Sequence, residues 1–310
     1  MLKFIVKRFF YMLLTIWVVI TLTFCLMHAA KGDPLASVGR RLPAQTRKNL
    51  YQKYGLDKPL FQQYIIYMKG LVTRLDLGES YVYPGTTVND IIKKQSPVSA
   101  QLGMVSIILG LVVGLALGII AALKKGHWPD YLVMFLAILG ITVPSFVLAA
   151  LFQYYLTVKL HMFPTTGWGG IKYMVLPALS LSFATIATYG RFMRSSASEV
   201  LNQDYILTAK AKGVSNTGML THHVMRNAIT PTITMLGPQI ASIFTGTFVI
   251  ESVFSIPGIG RYFISCISNR DYPVILGTTI FVAILYIVSV FVVDVLYVII
   301  DPRVKLAGSK

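Results

Sequence analysis

Asp204-Tyr-Ile-Leu-Thr-Ala-Lys-Ala-Lys-Gly213, a polar turn, and then His222-His-Val-Met-Arg-Asn-Ala-Ile-Thr-Pro231 form the longest polar interruption in the second half of this chain. Asp204 suits the N-cap of a short helix over Tyr205 to Lys212, because its carboxylate can accept from free backbone N–H groups. Gly213 suits the left-handed position that ends such a helix, and Lys210 and Lys212 suit its negative terminus. Ser215-Asn216-Thr217 offers caps for a second helix that runs toward Pro231. The expected unit is a helical hairpin, residues 195–230 with its flanks, held at a membrane surface. The hydrophobic spans that tether both of its ends argue against DNA reading and for docking to a protein partner. The plain alternative is a solvated loop that joins two spans.

Working outward, the chain has 310 residues, of which 55% are hydrophobic and only 13% charged. Mean hydropathy is +0.66. These values exclude a soluble domain and fit an all-α polytopic membrane protein. A net charge of +16 then reports topology and anionic lipid, with no nucleic acid as partner. The two cysteines, Cys25 and Cys266, give neither a disulfide framework nor a zinc site.

Apolar runs predict six transmembrane helices: Phe9–Ala30, Val98–Leu123, Tyr131–Val158, Tyr173–Met193, Pro231–Phe254 and Val274–Ile300. A secretory leader is the rival reading of the first, but a leader's apolar region is about 7–15 residues. Residues 1–30 are therefore a basic N-terminus and first span, and 31–97 a polar segment with helices expected over Gln45–Tyr54 and Leu60–Leu75. Tyr64, Tyr67 and Met68 are expected to pack that segment on the membrane surface. Residues 98–300 form a five-helix core, and 301–310 a tail. Gly110, Gly114 and Gly118 share one helical face and allow close helix approach. Pro144 is expected to kink the third span. With six spans both termini share a side. Lysine and arginine number thirteen on the termini, the 124–127 loop and the hairpin, against four on the two short opposite loops. The first segment carries eleven, but long translocated loops escape the bias. Both termini and the hairpin are expected in the cytoplasm.

Enzyme chemistry is missing from the motifs. Gly213-Val-Ser-Asn-Thr-Gly218 has glycines at phosphate-loop spacing, but Met219-Leu220 stand where Lys-Ser/Thr is needed. His222 and His223 are neighbours that point about 100° apart on a helix, a poor metal site. No nucleophile–base set is recognisable. Arg191, Glu251, Asp294 and His28 are ionisable groups in or near spans, and Glu251 and Asp294 are candidate gate or structural residues together with Pro144. Carboxylates near the midplane are scarce, which argues for an energy source outside this chain over an ion-coupled secondary carrier.

The hairpin, with Arg226-Asn-Ala-Ile-Thr-Pro231, resembles the cytoplasmic coupling loop of binding-protein-dependent ABC importer permeases. Tyr54-Gly-Leu-Asp-Lys-Pro59, Asp76-Leu-Gly-Glu-Ser80, Ile256-Pro-Gly-Ile-Gly260, Arg270-Asp-Tyr-Pro273 and Ile300-Asp-Pro-Arg303 extend the resemblance along the chain, to the B-type membrane subunit of oligopeptide and dipeptide permeases. Leu207-Thr208-Ala209 stand where the loop motif often opens on glutamate, and Arg226 where sugar importers have proline; both look typical of the peptide branch. The resemblance implies a type I importer permease that pairs with a homologous second permease, with two ATPase subunits beneath and an external peptide-binding protein. It implies no cofactor in this chain, with ATP and magnesium in the ATPases. It implies that Asp204, Tyr205, Thr208, Ala209, Lys210, Ala211, Lys212 and Gly213 form the coupling helix in an ATPase groove, where a bulky residue at Ala209 weakens docking. Oligopeptides are the expected cargo; dipeptides, nickel or a metallophore, and glutathione belong to the same class.

Overall fold

Every regular element among the described residues is helical, apart from one isolated bridge between Glu79 and Thr87. The computed structural model describes residues 2–29, 33, 35, 43–229 and 235–300, without the side chains of 2–4, 237, 238, 240–246 and 293–300. Among the described residues, four helices are long and apolar enough to cross a membrane, within Ile5–Ala29, Val88–Leu123, Ile171–Leu201 and Tyr272–Val292. A bent pair, Trp128–Thr142 with Ser145–Lys159, makes a fifth. The protein is thus an all-α polytopic membrane protein.

The helices are α1 (Leu2–Ala29), α2 (Ala44–Lys53), α3 (Leu60–Arg74), α4 (Val88–Leu123), α5 (Trp128–Thr142), α6 (Ser145–Phe152), α7 (Ile171–Leu201), α8 (Asp204–Ala211), α9 (Asn216–Gly218), α10 (Leu236–Val253), α11 (Ile259–Asn269) and α12 (Tyr272–Ile300). π-helical turns continue α6 over Gln153–Lys159 and α9 over Met219–Met225. α10 stands where the fifth span was expected; residues 231–234 of that expectation lie outside the described residues.

Three boundaries differ from expectation. α4 starts at Val88, ten residues before the apolar run, because Thr87 and Asp90 cap it reciprocally: Thr87 Oγ1 donates to Asp90 Oδ2 at 2.6 Å and accepts from the Asp90 N–H at 3.1 Å. Pro97 is carried inside that helix. The third span is broken rather than kinked: the two halves differ by 106°. Val143 is extended at φ −86°, ψ 121° and Pro144 caps the second half, as expected of a residue before proline. α7 continues past Met193 to Leu201, so the fourth span runs directly into the hairpin.

The chain forms two compact units, residues 1–99 with 256–291, and residues 100–255 with 292–310. In the first, Ile20 and Phe24 of α1 pack with Leu276 and Ile280 of α12. Tyr64, Tyr67 and Met68 of α3 lie on this cluster, so α3 packs on two helices of its own chain. The Tyr64 and Thr21 hydroxyls meet at 2.8 Å. Ser80 and Arg270-Asp271, distant in sequence, are joined. The buried Asp271 carboxylate accepts from the Ser80 hydroxyl at 2.5 Å and from the Tyr81 and Val82 N–H groups at 3.0 and 3.3 Å.

In the second unit α7 is the axis. Cβ atoms placed at Gly110 and Gly118 of α4 would meet Thr185 Cγ2 and the Gly190 carbonyl oxygen, each at 2.5 Å. One at Gly140 of α5 would meet Ala187 Cβ at 2.6 Å. The glycine face of α4 therefore allows backbone-to-backbone packing on α7, as small residues do in membranes.

Candidate functional site: the hairpin and its anchorage

An eight-residue helix is too short to persist alone in water. α8 persists because its inner face is buried: Ile206 and Ala209 join Ile119 and Ala122 of α4, Met193 and Ala197 of α7, and Met219, Val224 and Ala228 beyond the turn. Fully burying side chains such as Ile206, Met219 and Val224 contributes roughly 1.5–3 kcal/mol each. That outweighs a cap or an ion pair, so the cluster is what seats the hairpin on α4 and α7.

The caps fix its outline. Gln203, extended at φ −80°, ψ 147°, occupies the N-cap without a side-chain bond, and Asp204 falls in the first turn. The expectation for Asp204 moves by one position: its carboxylate acts through charge at the helix N-terminus, not as the capping acceptor. At the other end Gly213 has φ +74°. Its N–H donates to the Lys210 carbonyl at 3.0 Å, and that of Val214 donates to Ala209 at 3.2 Å. This is the paired closure of a Schellman motif, with Val214 packed on the cluster that holds Ala209. Nothing lies within 4 Å of a Cβ at Gly213, so backbone conformation alone requires glycine there. Ser215 then caps the next segment, its hydroxyl accepting from the Gly218 N–H at 3.2 Å.

The outer face is unlike the inner one. Tyr205 and Leu207 are 42% and 60% exposed, large apolar groups on a surface with Thr208, Lys210, Ala211 and Lys212 also exposed. Asn227 Nδ2 donates to the Tyr205 hydroxyl at 3.1 Å and so ties α8 to the segment after the π turn. Ala209 is turned inward at 7% exposure, whereas Tyr205 and Leu207 face outward. A larger residue at 209 strikes the chain's own cluster.

Sequence reasoning missed one pair beside this cluster. Asp130, in the first turn of α5 and 2% exposed, accepts from Arg194 of α7 through both carboxylate oxygens, Nη2 to Oδ2 at 2.8 Å and Nε to Oδ1 closer still. The Gly126 N–H adds a bond to Oδ2 at 3.0 Å. Arg194 follows Met193 of the cluster, so the pair locks the start of α5 to the part of α7 that carries the hairpin. The signal available was an acidic residue opening one span and a basic residue closing the next.

Pro144 and Glu251 are not members of this cluster. Pro144 marks the break between α5 and α6. Glu251 is fully buried near the end of α10. There the Phe254 carbonyl accepts from the Gly167 N–H at 2.8 Å, and Gln153 Nε2 donates to the carbonyls of Thr165 and Val253 at 2.8 and 3.3 Å. Asp294 belongs to α12, and its side chain lies outside the described residues. Among the described residues no cluster of His, Cys, Asp and Glu is arranged to hold a metal ion.

Residues 114–306 match the model of the family described as binding-protein-dependent transport system inner membrane component, and residues 1–102 match the N-terminal model of such membrane components. The dipeptide transport system permease protein DppB of Bacillus subtilis is 46% identical over 99% of both chains. The oligopeptide transport system permease protein OppB of Haemophilus influenzae is 42% identical, over 98% of this chain and all of that one. A crystal structure of an amino acid ABC transporter with histidines superposes with a TM-score of 0.51 at 14% identity, over 70% of this chain and 95% of that one, a likeness of fold.

Proposed function

Since this chain belongs to the family of binding-protein-dependent transport system inner membrane components, we propose that it is a membrane-spanning subunit of an ATP-driven peptide importer of the bacterial plasma membrane. A homologous permease completes the pathway, two ATPase subunits bind the hairpin ends from the cytoplasm, and an external binding protein delivers the peptide. Nucleotide and magnesium belong to the ATPases. The observation that carries this reading is the outer face of α8: apolar groups at Tyr205 and Leu207 stay in solvent on a helix whose inner face is anchored to α4 and α7. Closure of the ATPases around that face would move both spans together, a rigid-body switch between inward- and outward-open states.

Relatives named for dipeptide and for oligopeptide transport match at similar identity, so the shared cargo is a short peptide. The competing reading is a carrier driven by an ion gradient. Uptake of a labelled dipeptide into cells expressing the complete importer separates the two. ATP depletion with the proton gradient held should stop uptake, and collapse of the gradient with ATP held should leave it. Uptake that survives ATP depletion removes the importer reading.

A further inference from the structure

α3 has more apolar surface than its own chain covers. Tyr64, Tyr67 and Leu71 pack on the cluster of Ile20, Phe24, Leu276 and Ile280. Phe61, Ile65, Met68 and Val72 follow the i, i+4, i+7, i+11 spacing of a second stripe, on the flank beside the first. Met68 is half-buried against the cluster, whereas Phe61, Ile65 and Val72 are 74%, 49% and 72% exposed. Along the far side of that stripe runs an exposed polar ridge of Gln62, Lys69 and Thr73. Ile66 lies on the opposite flank, where it lines a cavity with Gln63 and Gly70. Lys69 and Arg74 are the charges of α3, which holds no acidic residue.

The level at which α3 is pinned says what meets the exposed stripe. The centroids of the Tyr64 and Tyr67 rings lie 5.3 and 6.2 Å from that of Phe24. The Tyr64 hydroxyl reaches further down α1, to Thr21 at 2.8 Å. α1 ends at Ala29. At a rise of about 1.5 Å per residue, Phe24 is about 7 Å and Thr21 about 12 Å inside that end. α1 is itself a span, and its Leu22 and Leu26, at the same level, are 57% and 69% exposed, as lipid-facing side chains are. α3 therefore crosses a part of α1 that lies in hydrocarbon. The depth matches the roughly 5–10 Å at which amphipathic helices rest on the boundary of headgroups and acyl chains. Lys3, Lys7 and Arg8 stand at the opposite end of α1, which puts the Ala29 end in the outer leaflet. A water-borne partner does not reach that level.

We propose that α3 is a half-immersed amphipathic helix whose flank of Phe61, Ile65 and Val72 rests on the acyl chains of outer-leaflet phospholipid, with Gln62, Lys69 and Thr73 at the headgroups. Lys69 suits a lipid phosphate, because its stem covers apolar surface while its ammonium reaches the anion. The polar segment between the first two spans is then strapped to the bilayer as well as to α1 and α12. This goes beyond the importer reading and does not depend on the cargo.

The test uses the complete importer in nanodiscs of phosphatidylglycerol and phosphatidylethanolamine, with a nitroxide label on one cysteine at a time. Cys25→Ser removes the exposed native thiol, and Cys266 is buried. Phe61→Cys, Ile65→Cys and Val72→Cys are compared with Gln62→Cys, Lys69→Cys and Thr73→Cys. All six positions are exposed, so no label displaces a packed side chain. Collision with oxygen, which concentrates among acyl chains, is measured against collision with a water-soluble nickel chelate. The oxygen-to-nickel ratio should be about fivefold or more higher at 61, 65 and 72 than at 62, 69 and 73. Frequent nickel collisions at all six positions mean a helix in water and overturn the proposal. Protection of 61, 65 and 72 from both reagents means that a protein, such as the second permease, covers the flank, and overturns it as well. The readout involves no transport, so either failure leaves the importer reading standing.

Discussion

Asp130→Ala should lower stability by about 1–3 kcal/mol, the cost of leaving the Arg194 guanidinium and the Gly126 N–H without their acceptor. Asp130 is 2% exposed and receives three hydrogen bonds, two from Arg194 and one from the Gly126 N–H. The Arg194 side chain is 27% exposed, which lets water reach the guanidinium and places the effect toward the lower end. Removing both charges is a different change. The double variant Asp130→Leu with Arg194→Leu should recover most of the loss, because it leaves neither ion unpaired. Thermal midpoints in mild detergent, completed as a double-mutant cycle, measure the coupling. A single variant within about 0.5 kcal/mol of wild type would mean that the pair behaves as a solvated surface bridge.

Gly213→Val should separate hydrolysis from transport. A side chain in the left-handed region costs about 1–2 kcal/mol, and β-branching makes valine one of the worst choices. Since a Cβ there touches nothing, the whole penalty falls on the closure that places α8. A penalty of that size shifts the balance between closed and frayed ends by about five- to thirtyfold. Peptide-stimulated ATP hydrolysis should fall by about tenfold, while the amount of protein inserted in the membrane stays at the wild-type level. Gly213→Asn, which tolerates positive φ, should retain most activity. Normal stimulated hydrolysis in the valine variant would remove the coupling role from this turn.

Local features were legible in the sequence where one residue has few alternatives. Gly213 announced its positive φ and the glycine face of α4 its close neighbour, while Pro144 announced a kink where the span is in fact broken. The helices over 44–53 and 60–74 followed from periodicity bounded by proline. The start of α4 was written in Thr87-Val-Asn-Asp90 but hidden by the polar residues that follow, since apolar runs mark where lipid begins and not where a helix does. Long-range pairs were not legible. Asp130 and Arg194 are 64 positions apart, and Ser80 and Asp271 are 191 apart. Each residue alone looks like an ordinary helix-end or loop polar group. The inward packing of Ala209 was not legible for a related reason: an alanine suits a tight contact with a partner or with its own chain, and its place beside Ile206 and Met219 shows only in the folded cluster.

The most direct test of the central claim places a thiol on the outer face of α8. Leu207→Cys, 60% exposed in the parent residue, is compared with the parent, whose Cys25 and Cys266 set the background. In everted membrane vesicles that contain the complete importer, a short bifunctional thiol–amine cross-linker should join position 207 to an ATPase subunit. In intact cells a membrane-impermeant maleimide should leave position 207 unlabelled. Labelling of intact cells at 207, or a cross-link pattern without any ATPase subunit, would contradict the account.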